Sequence, residues 1–96
     1  MSPLKRKKLY KIRLKLDKLD NSLIKLIKKR TNLVNQVLKL KEKKKEIIDN
    51  KRIKIILKNI RKKSLANKID HKITNRIWKN MIWSYIDYEK RNFKKK

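Results

Sequence analysis

Two cations sit where a helix should carry apolar side chains. Counting through positions 23, 27, 30, 34, 37 and 41 gives alternating steps of four and three, which trace one face of a helix. That face reads Leu23, Ile27, Arg30, Val34, Val37, Lys41. Burying an unpaired charge is costly, so Arg30 and Lys41 need anionic partners there. The chain has 8 Asp and Glu to serve 33 Lys and Arg, and a bound anion is the natural alternative to a carboxylate. Helix geometry separates the two by about 16 Å in rise and about 20° around the axis, so both side chains can lean toward a small ligand between them. Arg13 borders the same stripe, between Leu9 and Leu16. It stands about 25 Å from Arg30 along the axis, and an antiparallel partner helix could deliver it to the same ligand. Cations that snorkel, with stems on apolar surface and heads in water, would produce the same pattern.

The elements that must hold these residues are helices. Leu9, Ile12, Leu16, Leu19, Leu23, Ile27, Val34 and Val37 recur at helical spacing, and neither Gly nor Pro interrupts residues 5–45. A first helix is predicted from Pro3 or Leu4, with Pro allowed at a helix start, to about residues 41–45. Such a helix is about 60 Å long, whereas a compact domain of this size has a radius of gyration of about 12–13 Å. Another subunit must cover the rest of its stripe. Residues 41–46 read as a solvated break. Asp49 is the expected N-cap of a second helix carrying Ile53, Ile56, Leu57 and Ile60 and ending near residues 62–65. Asp70 is the expected cap of a third, with Ile73, Ile77, Met81 and Ser84 on one line and Trp78, Ile82, Tyr85 and Glu89 on the next. Residues 91–96 are expected to fray. The fold class is all-α: one long, one short and one medium helix in an intertwined homodimer.

Composition narrows the chemistry. Ninety-six residues make one domain. With no Gly and no Cys, tight β-hairpins, a disulfide framework, a thiolate zinc site and Gly-rich phosphate loops all drop out. One His offers no metal cluster, so no metal and no cofactor are expected. No apolar run is long enough to span a membrane, and the basic start lacks the apolar stretch of a signal peptide. A reducing, cytoplasmic setting fits. The net charge of +25 is the usual footprint of nucleic-acid binding. Yet seven of the 33 basic residues are Arg, while Ile and Asn are abundant beside Lys and Ala occurs once. Lys, Ile and Asn share A/U-rich codons, so base composition accounts for the surplus as readily as phosphate binding or steering of an anionic ligand.

The string LDKLDNSLIKLIKKRTNLVNQVLKLK, then IIDNKR, then a third helix ending in YIDYE, resembles the all-helical (AroQ-class) chorismate mutases over about residues 9–91. That span leaves a basic extension at 1–8 and a basic tail at 92–96. The pattern is Leu-Asp-x-x-Leu, an Arg, a Lys eleven residues on, and Asp-x-x-Arg after a short loop. The resemblance implies a three-helix chain in an intertwined homodimer that turns chorismate, a dianion, into prephenate in aromatic amino-acid biosynthesis. By the same resemblance Arg13 is donated across the dimer to a substrate carboxylate, and Arg30 grips a carboxylate within its own chain. Lys41 hydrogen-bonds the breaking ether oxygen and Glu89 faces that oxygen from the other side. Asp49 and Arg52 lie near the ring hydroxyl and carboxylate, Tyr85 belongs with the substrate-binding residues, and Asp20 is structural.

Two departures matter. Many of these mutases carry Glu directly after the Arg of the second helix, and here the residue is Ile53. The isochorismate-pyruvate lyases share the fold and can be apolar there, so they are the alternative activity. A basic helical nucleic-acid-binding protein is a more remote one. Glu89 stands where the family has Gln or Glu, and to donate to an ether oxygen a Glu must carry a proton. Trp78 and Trp83 are expected as core or dimer contacts, and His71 as a first-turn residue of the third helix without a chemical role. No end-product-sensing domain, and so no feedback control, is expected in this chain.

Overall fold

Helix α1 (Pro3–Leu40), a 3-10 turn (Lys44–Ile47), α2 (Asn50–Ala66) and α3 (His71–Asn92) follow one another in the computed structural model, which describes residues 1–95. Among the described residues there is no strand. The fold is all-α with three helices, as the periodicity predicts. Lys96 lies outside the described residues.

The chain divides into two units, residues 1–33 and 34–96. The first is helix alone. Its start is set locally: Ser2 Oγ accepts a hydrogen bond from the Lys5 amide at 3.2 Å, and Pro3 takes the first helical position, where a missing N–H costs nothing. Its apolar stripe is uncovered. Ile12, Leu16, Leu19, Leu23 and Ile27 are between 47% and 61% exposed.

The second unit has a core of its own. Leu38, Ile47, Ile82 and Ile86 are buried, with Ile48, Ile53, Ile56, Leu57 and Phe93 packed around them. α1 ends at Leu40, where the Lys41 amide bonds the Leu38 carbonyl at 3.1 Å in a tightened last turn. The expected break is solvated over residues 42–46, with Lys41 half-buried at its start and Ile47 buried just after it. Glu46 accepts from the Lys43 amide at 2.9 Å, which closes the 3-10 turn and drives Ile47 to 3% exposure. Burying such a side chain contributes roughly 1.5–3 kcal/mol.

Both predicted caps form. Asp49 accepts from the Arg52 amide at 3.0 Å and Asp70 from the Lys72 amide at 2.9 Å. α2 ends at Ala66, with the Ile69 amide on the Ser64 carbonyl at 2.9 Å and the Lys68 amide on the Leu65 carbonyl at 3.2 Å. This is the two-bond Schellman closure, and Lys68 takes its left-handed position at φ 56. The buried Ser64 hydroxyl lies 2.7 Å from that of Thr74, tying α2 to α3.

On α3 the buried line is Ile82, Ile86 and Glu89, continued by Phe93. Residues 91–93 are therefore not frayed: α3 runs to Asn92, and Phe93 is held by the core. Trp78 is half-buried, whereas Trp83 remains 49% exposed and is no part of this chain's core. Ile73 and Ile77, on the first of the two predicted lines, are exposed. His71 opens α3, as expected.

Candidate active site

The first two of the site residues proposed from the sequence lie on α1 within residues 1–33. Arg13 is exposed and Arg30 half-buried. The others, Lys41, Asp49, Arg52, Tyr85 and Glu89, belong to residues 34–96.

Within that unit the sharpest feature is an ion pair. Lys41 Nζ donates to Glu89 Oε1 at 3.1 Å, across 48 residues of sequence. Both side chains are largely shielded, and Glu89 is only 6% exposed. Glu89 reaches this place because it continues the Ile82–Ile86 line, one helical turn further on. Lys41 reaches it because α1 stops one residue earlier and Leu38 anchors the last turn in the core. An unpaired buried carboxylate would be costly, and Lys41 supplies the countercharge.

Lys41 also lines a groove of about 460 Å³ with Glu46, Ile48, Asp49, Asn50 and Lys51. The structure thus brings Lys41 beside Asp49 as well as Glu89. Asp49 is fixed as the cap of α2 through the Arg52 amide, and the Arg52 side chain is exposed in the first turn of that helix. Tyr85 is half-buried and meets Tyr88 edge to face, with ring centroids 6.4 Å apart. Among the described residues no cluster of His, Cys, Asp and Glu could hold a metal ion.

A family model described as chorismate mutase type II matches residues 12–90. The chain belongs to that family. The matched span takes in every residue named above for the site, from Arg13 to Glu89. For this chorismate mutase family member, no curated protein and no solved structure gives a match. Among the described residues no helix is long and apolar enough to cross a membrane.

Two features of the site escaped the sequence. The 3-10 turn that sets Glu46 and Ile48 on the groove could have been sought in Lys43 and Glu46, spaced as a capping box. The Tyr88 hydroxyl donates to Asn35 Oδ1 at 2.8 Å, and no local signal marks two residues so far apart in sequence.

Proposed function

We propose that the protein is a chorismate mutase that rearranges chorismate to prephenate as an intertwined homodimer. Family membership supports the reaction type. The buried Lys41–Glu89 pair is the observation that carries the assignment of the site. The rearrangement is concerted and needs no nucleophile. It needs a compact dianion held in a chair-like geometry and negative charge stabilised as it develops on the ether oxygen. Arg30, and Arg13 from a second subunit, would hold the carboxylates. Asp49 and Arg52, together at the start of α2, would address the ring end, with Tyr85 alongside. For Lys41 and Glu89 to act on one ether oxygen, their direct bond opens and that oxygen comes between them. Lys41 then donates from one side, and Glu89 donates from the other when it carries a proton.

The homodimer is supported by the exposure of Ile12, Leu16, Leu19 and Leu23 along the stripe of residues 1–33. Helices gain most of their stability from packing an apolar face, and an antiparallel second copy would cover this one while delivering Arg13.

The test is product identification from chorismate and isochorismate supplied separately. Prephenate from chorismate is expected. Ile53, half-buried at the position that is Glu in many of these mutases, favours a second reading as an isochorismate-pyruvate lyase. Salicylate and pyruvate from isochorismate, with no prephenate from chorismate, would select it. Glu89→Gln keeps a donor toward the ether oxygen and should retain turnover, whereas Glu89→Ala should lose it. Equal loss in both variants would remove Glu89 from the ether oxygen.

A further inference from the structure

Two side-chain bonds join the end of α1 to the end of α3 with a similar offset. Lys41 meets Glu89, and Asn35 meets Tyr88. The first pair is the proposed chemistry. The second belongs to no step of it, yet it is partly buried and well formed, with the Tyr88 hydroxyl donating to Asn35 Oδ1 at 2.8 Å.

We infer that Asn35 and Tyr88 are positioning residues, a directional clamp that sets the register and rotation of α3 against the last turns of α1 so that Lys41 and Glu89 converge. The inference rests on the mutase-type reading of that pair.

The core alone leaves this register loosely defined. Leu38, Ile82 and Ile86 hold the segments by apolar contact, which is non-directional. A hydrogen bond weakens steeply when its angle or length changes. Tyr88 is the residue before Glu89, so fixing its hydroxyl fixes the rotation of α3 where the carboxylate emerges. Its own backbone is held too, because Asn92 Nδ2 donates to the Tyr88 carbonyl at 2.8 Å and Tyr85 packs edge-on against its ring. At the other end, Asn35 lies about 9 Å before Lys41 along α1. Leu38 in the core and the Lys41 amide on the Leu38 carbonyl carry the constraint to the helix end. Catalytic groups must be held to within about 0.5 Å of their working geometry, and a displacement of about 1 Å can cost about 10²-fold in rate.

The experiment compares Tyr88→Phe, Asn35→Leu and Asn35→Asp with the parent, on whichever of chorismate and isochorismate the parent consumes. Lys41 and Glu89 act on charge that appears only in the transition state, so Tyr88→Phe is expected to lower kcat about tenfold with KM little changed. Asn35→Leu should do the same. Asn35→Asp keeps an acceptor for the hydroxyl and should hold kcat near the parental value. Unchanged kcat in Tyr88→Phe overturns the inference, as does equal loss in Asn35→Asp and Asn35→Leu. If Tyr88→Phe loses its helical circular dichroism, the Asn35 pair of variants decides alone. A parent that consumes neither substrate removes the underlying reading, and this inference with it, before any variant is compared.

Discussion

Residues 1–33 and residues 34–96 solve the problem of burying apolar surface in opposite ways. The later region folds onto itself: Leu38, Ile47, Ile82 and Ile86 close a small core, and Lys41 and Glu89 neutralise each other beside it. The earlier region is a helix whose leucines and isoleucines, as regularly spaced as any in the molecule, stay exposed apart from Leu9. Apolar periodicity is present in both, but only the later region closes a core within its own unit. Periodicity therefore identifies a face to be buried and leaves open what buries it.

The contrast can be broken most severely at the stripe. Leu19→Asp together with Leu23→Asp should abolish dimerisation in sedimentation velocity and reduce turnover to background. A dimer that survives both charges would show that residues 1–33 need no second copy. Next come the cations. Lys41→Ala should lower kcat by about 10²–10³ with helicity intact, the usual cost of losing a preorganised donor. Arg13→Ala and Arg30→Ala should each be nearly inactive. Mixed and reassociated, they should regain about a quarter of parental activity, since half of the dimers are mixed and each of those rebuilds one of its two sites. No recovery would place Arg13 and Arg30 on the same subunit's site.

In the self-packed region the effects fall on stability. Ile47→Ala removes a buried side chain and should cost about 2–4 kcal/mol in urea unfolding. A much smaller loss would mean that the 3-10 turn is not part of the core. Asp70→Ala removes the cap of α3 and should cost about 1 kcal/mol by the same measurement.

The sequence made legible whatever is local. Asp49 and Asp70 were readable as caps because a side chain that bonds the amide two or three residues on leaves its mark within one turn. The three helices were readable from their 3.6-residue period. The pairing of Lys41 with Glu89 was visible only through likeness to a family: each lies on a periodic line of its own, but 48 residues separate them and no local pattern joins the two. Asn35 and Tyr88 were invisible for the same reason, with no likeness to point them out. The break before α2 was readable as solvated, since Lys43 to Glu46 are exposed, but the turn within it was not. In the structure Glu46 turns back on the Lys43 amide and frees Ile47 to go inward. Glu89 near a helix end could equally have been a surface carboxylate, and its burial follows from Phe93 extending the packed line beyond it.

The reversal between α2 and α3 shows what a chain does without its most permissive residue. At φ 56, Lys68 occupies a position where glycine would sit without strain. The cost of a side chain there is offset by the two amide bonds that close the helix on Ser64 and Leu65 and by the Ser64–Thr74 contact below them. Backbone flexibility is thus replaced by local enclosure. The corner becomes a stiff hinge pin, and a sequence can lose every glycine and still turn a corner, provided the hydrogen bonds around that corner hold it shut.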